Sequence, residues 1–133
     1  MKQTYVGGCH CGAVRYEATL DLSQGTVKCN CSICRKTRAW LASVATDDFR
    51  LLSAPAALSN YQFGPRNVHH QFCKTCGIKS FVRVNRPDRT GFFVVVVSCL
   101  ENVPDPDLAA LPVMYLDGHN DNFAAPPAHT AHL

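Results

Sequence analysis

Seven of the eight cysteines fall in three short clusters: Cys9-His10-Cys11, Cys29-Asn30-Cys31-Ser32-Ile33-Cys34, and Cys73-Lys74-Thr75-Cys76. These are C-x-C and C-x-x-C pairs, spacings that point two sulfurs at one ion, whereas a disulfide framework usually joins distant segments. In a cytosolic chain thiols are kept reduced, and clustered cysteines there bind metal. The chemistry on offer is thiolate coordination of zinc.

Cys9, Cys11, Cys73 and Cys76 supply four thiolates, the full tetrahedral set of a structural zinc. In extended backbone, residues i and i+2 point to one side, so Cys9 and Cys11 can face a single ion. Gly12 and Gly77 follow the two pairs and allow the tight turn that brings backbone amides toward sulfur. This site is expected to stitch the first strand to the middle of the domain, with His10 pointing away.

Cys29, Cys31 and Cys34 supply only three sulfurs, with no fourth cysteine nearby in sequence. Three protein ligands and one open position is how catalytic zinc is held, where it acts as a Lewis acid or lowers the pKa of a bound thiol or water. Lys28, Arg35, Lys36 and Arg38 surround the knuckle and suit a small acidic substrate. The competing reading is a second closed site completed by a distant donor: Cys99 first, then His69, His70 or His119. Cys99 ends an apolar strand, where a buried and inert thiol is the expected state. His69 and His70 are neighbours on a strand and face opposite sides. Trp40, just past the knuckle, reads as a core residue or a pocket wall.

The elements that must position these sulfurs are mostly strands. The chain has 133 residues, 47% apolar and 17% charged, the size and composition of one globular domain. Strand signals cover Ala13–Ala18, Val27–Cys29, Trp40–Ala45, Phe49–Leu52, Leu58–Phe63, Val68–Phe72, Ile78–Val84 and Phe92–Cys99. The last is aromatic and β-branched without alternation, as in a strand covered on both faces. Pro104, Pro106 and Pro112 argue against regular structure before Met114–Leu116. The expectation is a mainly β domain over residues 1–117 with at most one or two helical turns. A polar, Ala/Pro/His-rich tail follows over 118–133, with partial disorder expected at its end.

A net charge of +3 is too small for a nucleic-acid partner. The longest apolar run, Phe92 to Val97, is too short for a bilayer, and Met1 to Tyr5 lacks the apolar stretch of a secretory signal. The expected location is the cytoplasm.

Gly8-Cys9-His10-Cys11-Gly12, Cys29-Asn30-Cys31-Ser32-Ile33-Cys34-Arg35-Lys36 and Phe72-Cys73-Lys74-Thr75-Cys76-Gly77, in that order, resemble the glutathione-dependent formaldehyde-activating family over about residues 3 to 117. The resemblance implies an Mss4-like fold of several small, twisted antiparallel sheets stapled by zinc. It implies two zinc ions per chain: structural at Cys9, Cys11, Cys73 and Cys76, and at the active site on Cys29, Cys31 and Cys34. The activity it implies is that of a carbon–sulfur lyase resembling S-hydroxymethylglutathione synthase, with a small thiol or thiol–aldehyde adduct, such as that of glutathione with formaldehyde, as substrate. Two other functions remain open on the residues: a non-catalytic, zinc-stabilised binding module, and a thiol oxidoreductase, for which only Cys99 would be left over.

Overall fold

The computed structural model describes all 133 residues. Alternation in Arg15-Tyr16-Glu17-Ala18-Thr19-Leu20 turns Tyr16, Ala18 and Leu20 inward, forming β2 (Arg15–Leu20). It pairs antiparallel with β1 (Gln3–Gly8) on one side. On its other side lies β5 (Phe49–Leu51), which completes a three-stranded sheet in the order β1-β2-β5. No strand signal marks β1 in the sequence, because Gly7 and Gly8 weaken strand propensity. Both glycines are buried, packed close to Tyr16 and Val14.

The second sheet has seven strands. Adding β3 (Thr26–Cys29), β4 (Leu41–Ala45), β6 (Leu58–Tyr61), β7 (Val68–Cys73), β8 (Phe81–Asn85), β9 (Gly91–Val96) and β10 (Val113–Leu116), its order is β10-β3-β4-β9-β8-β7-β6. All pairings are antiparallel except β10 with β3, which run parallel. The long apolar run stops being strand at Val96, and Val97–Cys99 curls into a 3-10 turn.

Between the sheets lies an aromatic core. Tyr16 stacks on Phe49 at 5.1 Å and meets Phe81 edge-on at 5.5 Å, and Phe49 stacks on Phe93 at 4.0 Å. Rings from β2 and β5 thus lock onto rings from β8 and β9. The buried Tyr16 hydroxyl donates to the Ser80 carbonyl at 2.9 Å, so the ring is packed without stranding its polar end.

Two short helices interrupt the strands, α1 (Ser32–Thr37) and α2 (Asp105–Ala109). The second corrects the expectation that prolines exclude regular structure there. Pro104 and Pro106 occupy its cap and first turn, where the missing N–H has no partner to lose. The C-terminal residues fold back, with Leu133 buried and its carbonyl accepting from Lys28 Nζ at 3.2 Å.

Candidate metal centres

The first cluster forms where two hairpin connections meet. Cys9 and Cys11 lie in the link between β1 and β2, while Cys73 ends β7 and Cys76 lies in the turn toward β8. The ligand atoms of all four lie within 4.8 Å of one another. The sulfurs of Cys9 and Cys11 stand 3.7 Å apart, and those of Cys11 and Cys73 stand 3.6 Å apart. Four sulfurs at about 2.3 Å from a tetrahedral zinc would have edges of about 3.8 Å, so the spacing fits that ion.

The backbone supports the thiolate form. Val14 N–H donates to Cys9 Sγ at 3.3 Å, and the amides of Thr75 and Cys76 donate to Cys73 Sγ at 3.3 and 3.4 Å. Gly12 and Gly77 adopt φ of +87° and +77°, left-handed values that let the chain wrap each cysteine pair. Amides of Cys11 and Ile78 hold the Cys76 thiol down at about 6. His10 is exposed and stands outside the cluster.

The second cluster forms at the junction of β3 and α1. Cys29 is the last residue of β3, Cys31 caps the helix, and Cys34 comes one turn on. Their three sulfurs also lie within 4.8 Å of one another. Cys31 is the thiol most readily ionised: hydrogen bonding from Cys34 holds it near 5 against the opposing effect of burial, while the Cys34 thiol is pushed far up. Cys31 N–H donates to Cys29 Sγ at 3.4 Å. A soft, partly ionised, preformed triad of this kind fits zinc as a donor set. Cys99, His69, His70 and His119, the distant donors weighed for a fourth position, do not join it.

Each of those four has another setting. His69 meets Asn85 Nδ2 at 3.1 Å, and the buried His70 meets Lys79 Nζ at 3.2 Å, so the two rings do face opposite ways. Cys99 is half-buried, and desolvation raises its thiol to about 11. His119 is exposed and contributes only its backbone N–H, which donates to Asn30 Oδ1 at 2.9 Å.

That last contact belongs to a clamp with no local sequence signal. Asp117, which is buried, accepts from Asn30 Nδ2 at 2.8 Å and from Asn120 Nδ2 at 2.9 Å. Asn30 N–H donates to the Leu116 carbonyl at 3.2 Å. Gly118 lies so close that a Cβ there would stand 2.6 Å from Cys29 Sγ. The segment after β10 therefore forms one wall of the three-cysteine site, and the parallel pairing of β10 with β3 delivers it.

Of the basic residues near the knuckle, Lys28 is engaged with Leu133 and lies 5.7 Å from the Trp40 ring centroid, while Arg35 and Lys36 are exposed. Trp40 is half-buried, with its indole N–H donating to Thr26 Oγ1 at 2.7 Å. Lys79, which the sequence did not single out, lies close enough for the Cys34 and Cys31 thiolates to raise its pKa against the larger lowering from burial.

A mainly β scaffold with two thiolate clusters compatible with zinc defines a protein of the Mss4-like class. More narrowly, the chain belongs to the family described as glutathione-dependent formaldehyde-activating enzyme, whose model matches residues 4–115. It is also similar to a Rhodobacter sphaeroides protein of known crystal structure, with 36% sequence identity and a TM-score of 0.68 over 82% of this chain and 99% of that one. No helix is long and apolar enough to cross a membrane.

Proposed function

We propose that this protein is a zinc-dependent carbon–sulfur lyase that makes or breaks thiol–aldehyde adducts, as in the formation of S-hydroxymethylglutathione. Cys29, Cys31 and Cys34 hold the zinc at the reaction site, and Cys9, Cys11, Cys73 and Cys76 hold a structural zinc. The observation that carries the reading is the unequal donor supply: four clustered sulfurs in one place, three in the other.

The reaction adds RS–H across the carbonyl of an aldehyde. A carbon–sulfur bond forms, the C=O π bond is lost, and the thiol proton ends on oxygen, with no change of redox state. Zinc at such a site supplies Lewis acidity, lowering the pKa of a thiol or stabilising a developing oxyanion. Asn30 and Asp117 keep the C-x-C turn in place, while the N–H groups around Cys29 and Cys31 favour the ionised ligands. Arg35 and Lys36, exposed on the same helix, attract anionic substrates. The reading places the protein in the cytoplasm, where free thiols persist.

Exchange NMR of glutathione with formaldehyde tests this directly. Zinc-loaded protein should speed interconversion above the spontaneous rate, and Cys31→Ser should return it to that rate. No acceleration by the loaded wild type would sink the proposal. A non-catalytic, zinc-stabilised binding module is the second reading. It draws on Tyr61 and Phe63, which are exposed and stacked at 5.7 Å beside the edge strand β6.

A further inference from the structure

Between the C-terminal end of α1 and the turn entering β8 lies a cavity of about 310 Å³. Lys79 lines it with Thr37, Ser98 and Cys99, and no acidic side chain does. Thr37 follows Cys34 by three residues on α1 and Gly77 follows Cys76, so the cavity lies between the two cysteine clusters, with Lys79 within electrostatic reach of Cys34 and Cys31.

Lys79 pairs with no carboxylate. Its one side-chain partner is His70 Nδ1 at 3.2 Å. An ammonium has three donors, so the other two are free. His70 is itself fixed: it is buried, with its ring stacked on Phe63 at 5.5 Å. Burial and the nearby ammonium lower its pKa to about 4, which keeps the ring neutral and Nδ1 able to accept. A half-buried ammonium that faces the Cys34 and Cys31 sulfurs but pairs with no carboxylate, held by a neutral acceptor at the wall of a cavity, keeps N–H donors for a carboxylate from outside.

We infer that this cavity is a carboxylate-binding subsite of the reaction centre, in which Lys79 takes the carboxylate of a small thiol whose sulfur lies toward Cys29, Cys31 and Cys34. His70 is a positioning residue that aims the ammonium. The placement rests on the lyase reading, but binding can be measured without turnover.

Calorimetry on the zinc-loaded protein compares 3-mercaptopropionate with 2-mercaptoethanol, thiols that differ chiefly in the carboxylate. The wild type should bind the acid about tenfold more tightly, a gap typical of one well-placed charge-assisted hydrogen bond. Lys79→Met should abolish that preference with zinc content unchanged, and Lys79→Arg should keep part of it. His70→Leu should weaken it, and His70→Asn, which keeps an acceptor near Nδ1, should restore it. Propionate, which has no thiol, should shift the Lys79 side-chain NMR signals in the wild type, so the test stands even if a variant fails to fold. Equal affinities for the two thiols in the wild type, a preference that survives Lys79→Met, or Lys79 signals indifferent to propionate would overturn the inference. Glutathione–formaldehyde exchange without this preference would leave the lyase reading standing and remove the subsite. The preference without exchange would do the reverse.

Discussion

The two cysteine clusters use the same donor atom and are assembled in opposite ways. The first draws on segments 62 residues apart, as between Cys11 and Cys73, and ties the connection leaving β1 to the end of β7. The second lies within six residues at one β–α junction, and what closes over it is the Asn30 carboxamide held by the Asp117 carboxylate, together with the backbone at Gly118. Donors gathered from distant strands make a staple, because the ion is also a cross-link. Donors gathered from one turn leave the far side of the ion to be shaped by other residues, which is where substrate selectivity can be built.

Removing a sulfur from each cluster should separate these roles most sharply. Cys73 is 1% exposed and its sulfur accepts two amides. A closed thiolate zinc site is worth about 10–16 kcal/mol, as much as the whole stability of about 5–15 kcal/mol expected of a domain. Cys73→Ser should therefore be unfolded, without a near-ultraviolet circular dichroism signal. Cys31→Ser should stay folded with one zinc per chain in place of two by elemental analysis. Equal collapse of both variants would erase the distinction.

Gly118→Ala sharpens the comparison from the other side. Its Cβ would stand 2.6 Å from Cys29 Sγ and 3.0 Å from Cys31 Cβ, so the 117–120 segment must lift. Chelator competition should show one zinc released more readily and the other unchanged. Asp117→Ala removes an acceptor from the clamp while leaving every cysteine, and should weaken the same zinc by about 10- to 100-fold. The smallest effect belongs to Tyr16→Phe. Losing the hydroxyl bond to the Ser80 carbonyl should cost about 1 kcal/mol in thermal unfolding and leave both zinc affinities untouched.

What could be read in the sequence was whatever is local. C-x-C and C-x-x-C pairs declare themselves within four residues, and Val14, Tyr16 and Ala18 alternate visibly, although the strand itself runs on to Leu20. The helix α1 escaped because six residues, one of them Cys34, show too little periodicity to recognise. β1 was masked by Gly7 and Gly8, and the parallel register of β10 on β3 leaves no trace in either strand alone. The hydrogen bond from Asn30 to Asp117 spans 87 positions, and nothing in either side chain announces the other. Lys79 and His70 meet across the β7–β8 hairpin, a contact that exists only once the strands are paired. The cysteine clusters were legible, and the residues that shape the ground around them were not.

The late arrival of the segment from Leu116 to Asn120 sets a timetable for biosynthesis. A ribosome releases Cys29, Cys31 and Cys34 long before it makes the residues that will cover them. The nascent triad must therefore wait, exposed to oxidants and competing ions, through most of translation. Chains truncated before residue 116 would carry all seven clustered cysteines and still lack one wall of the pocket.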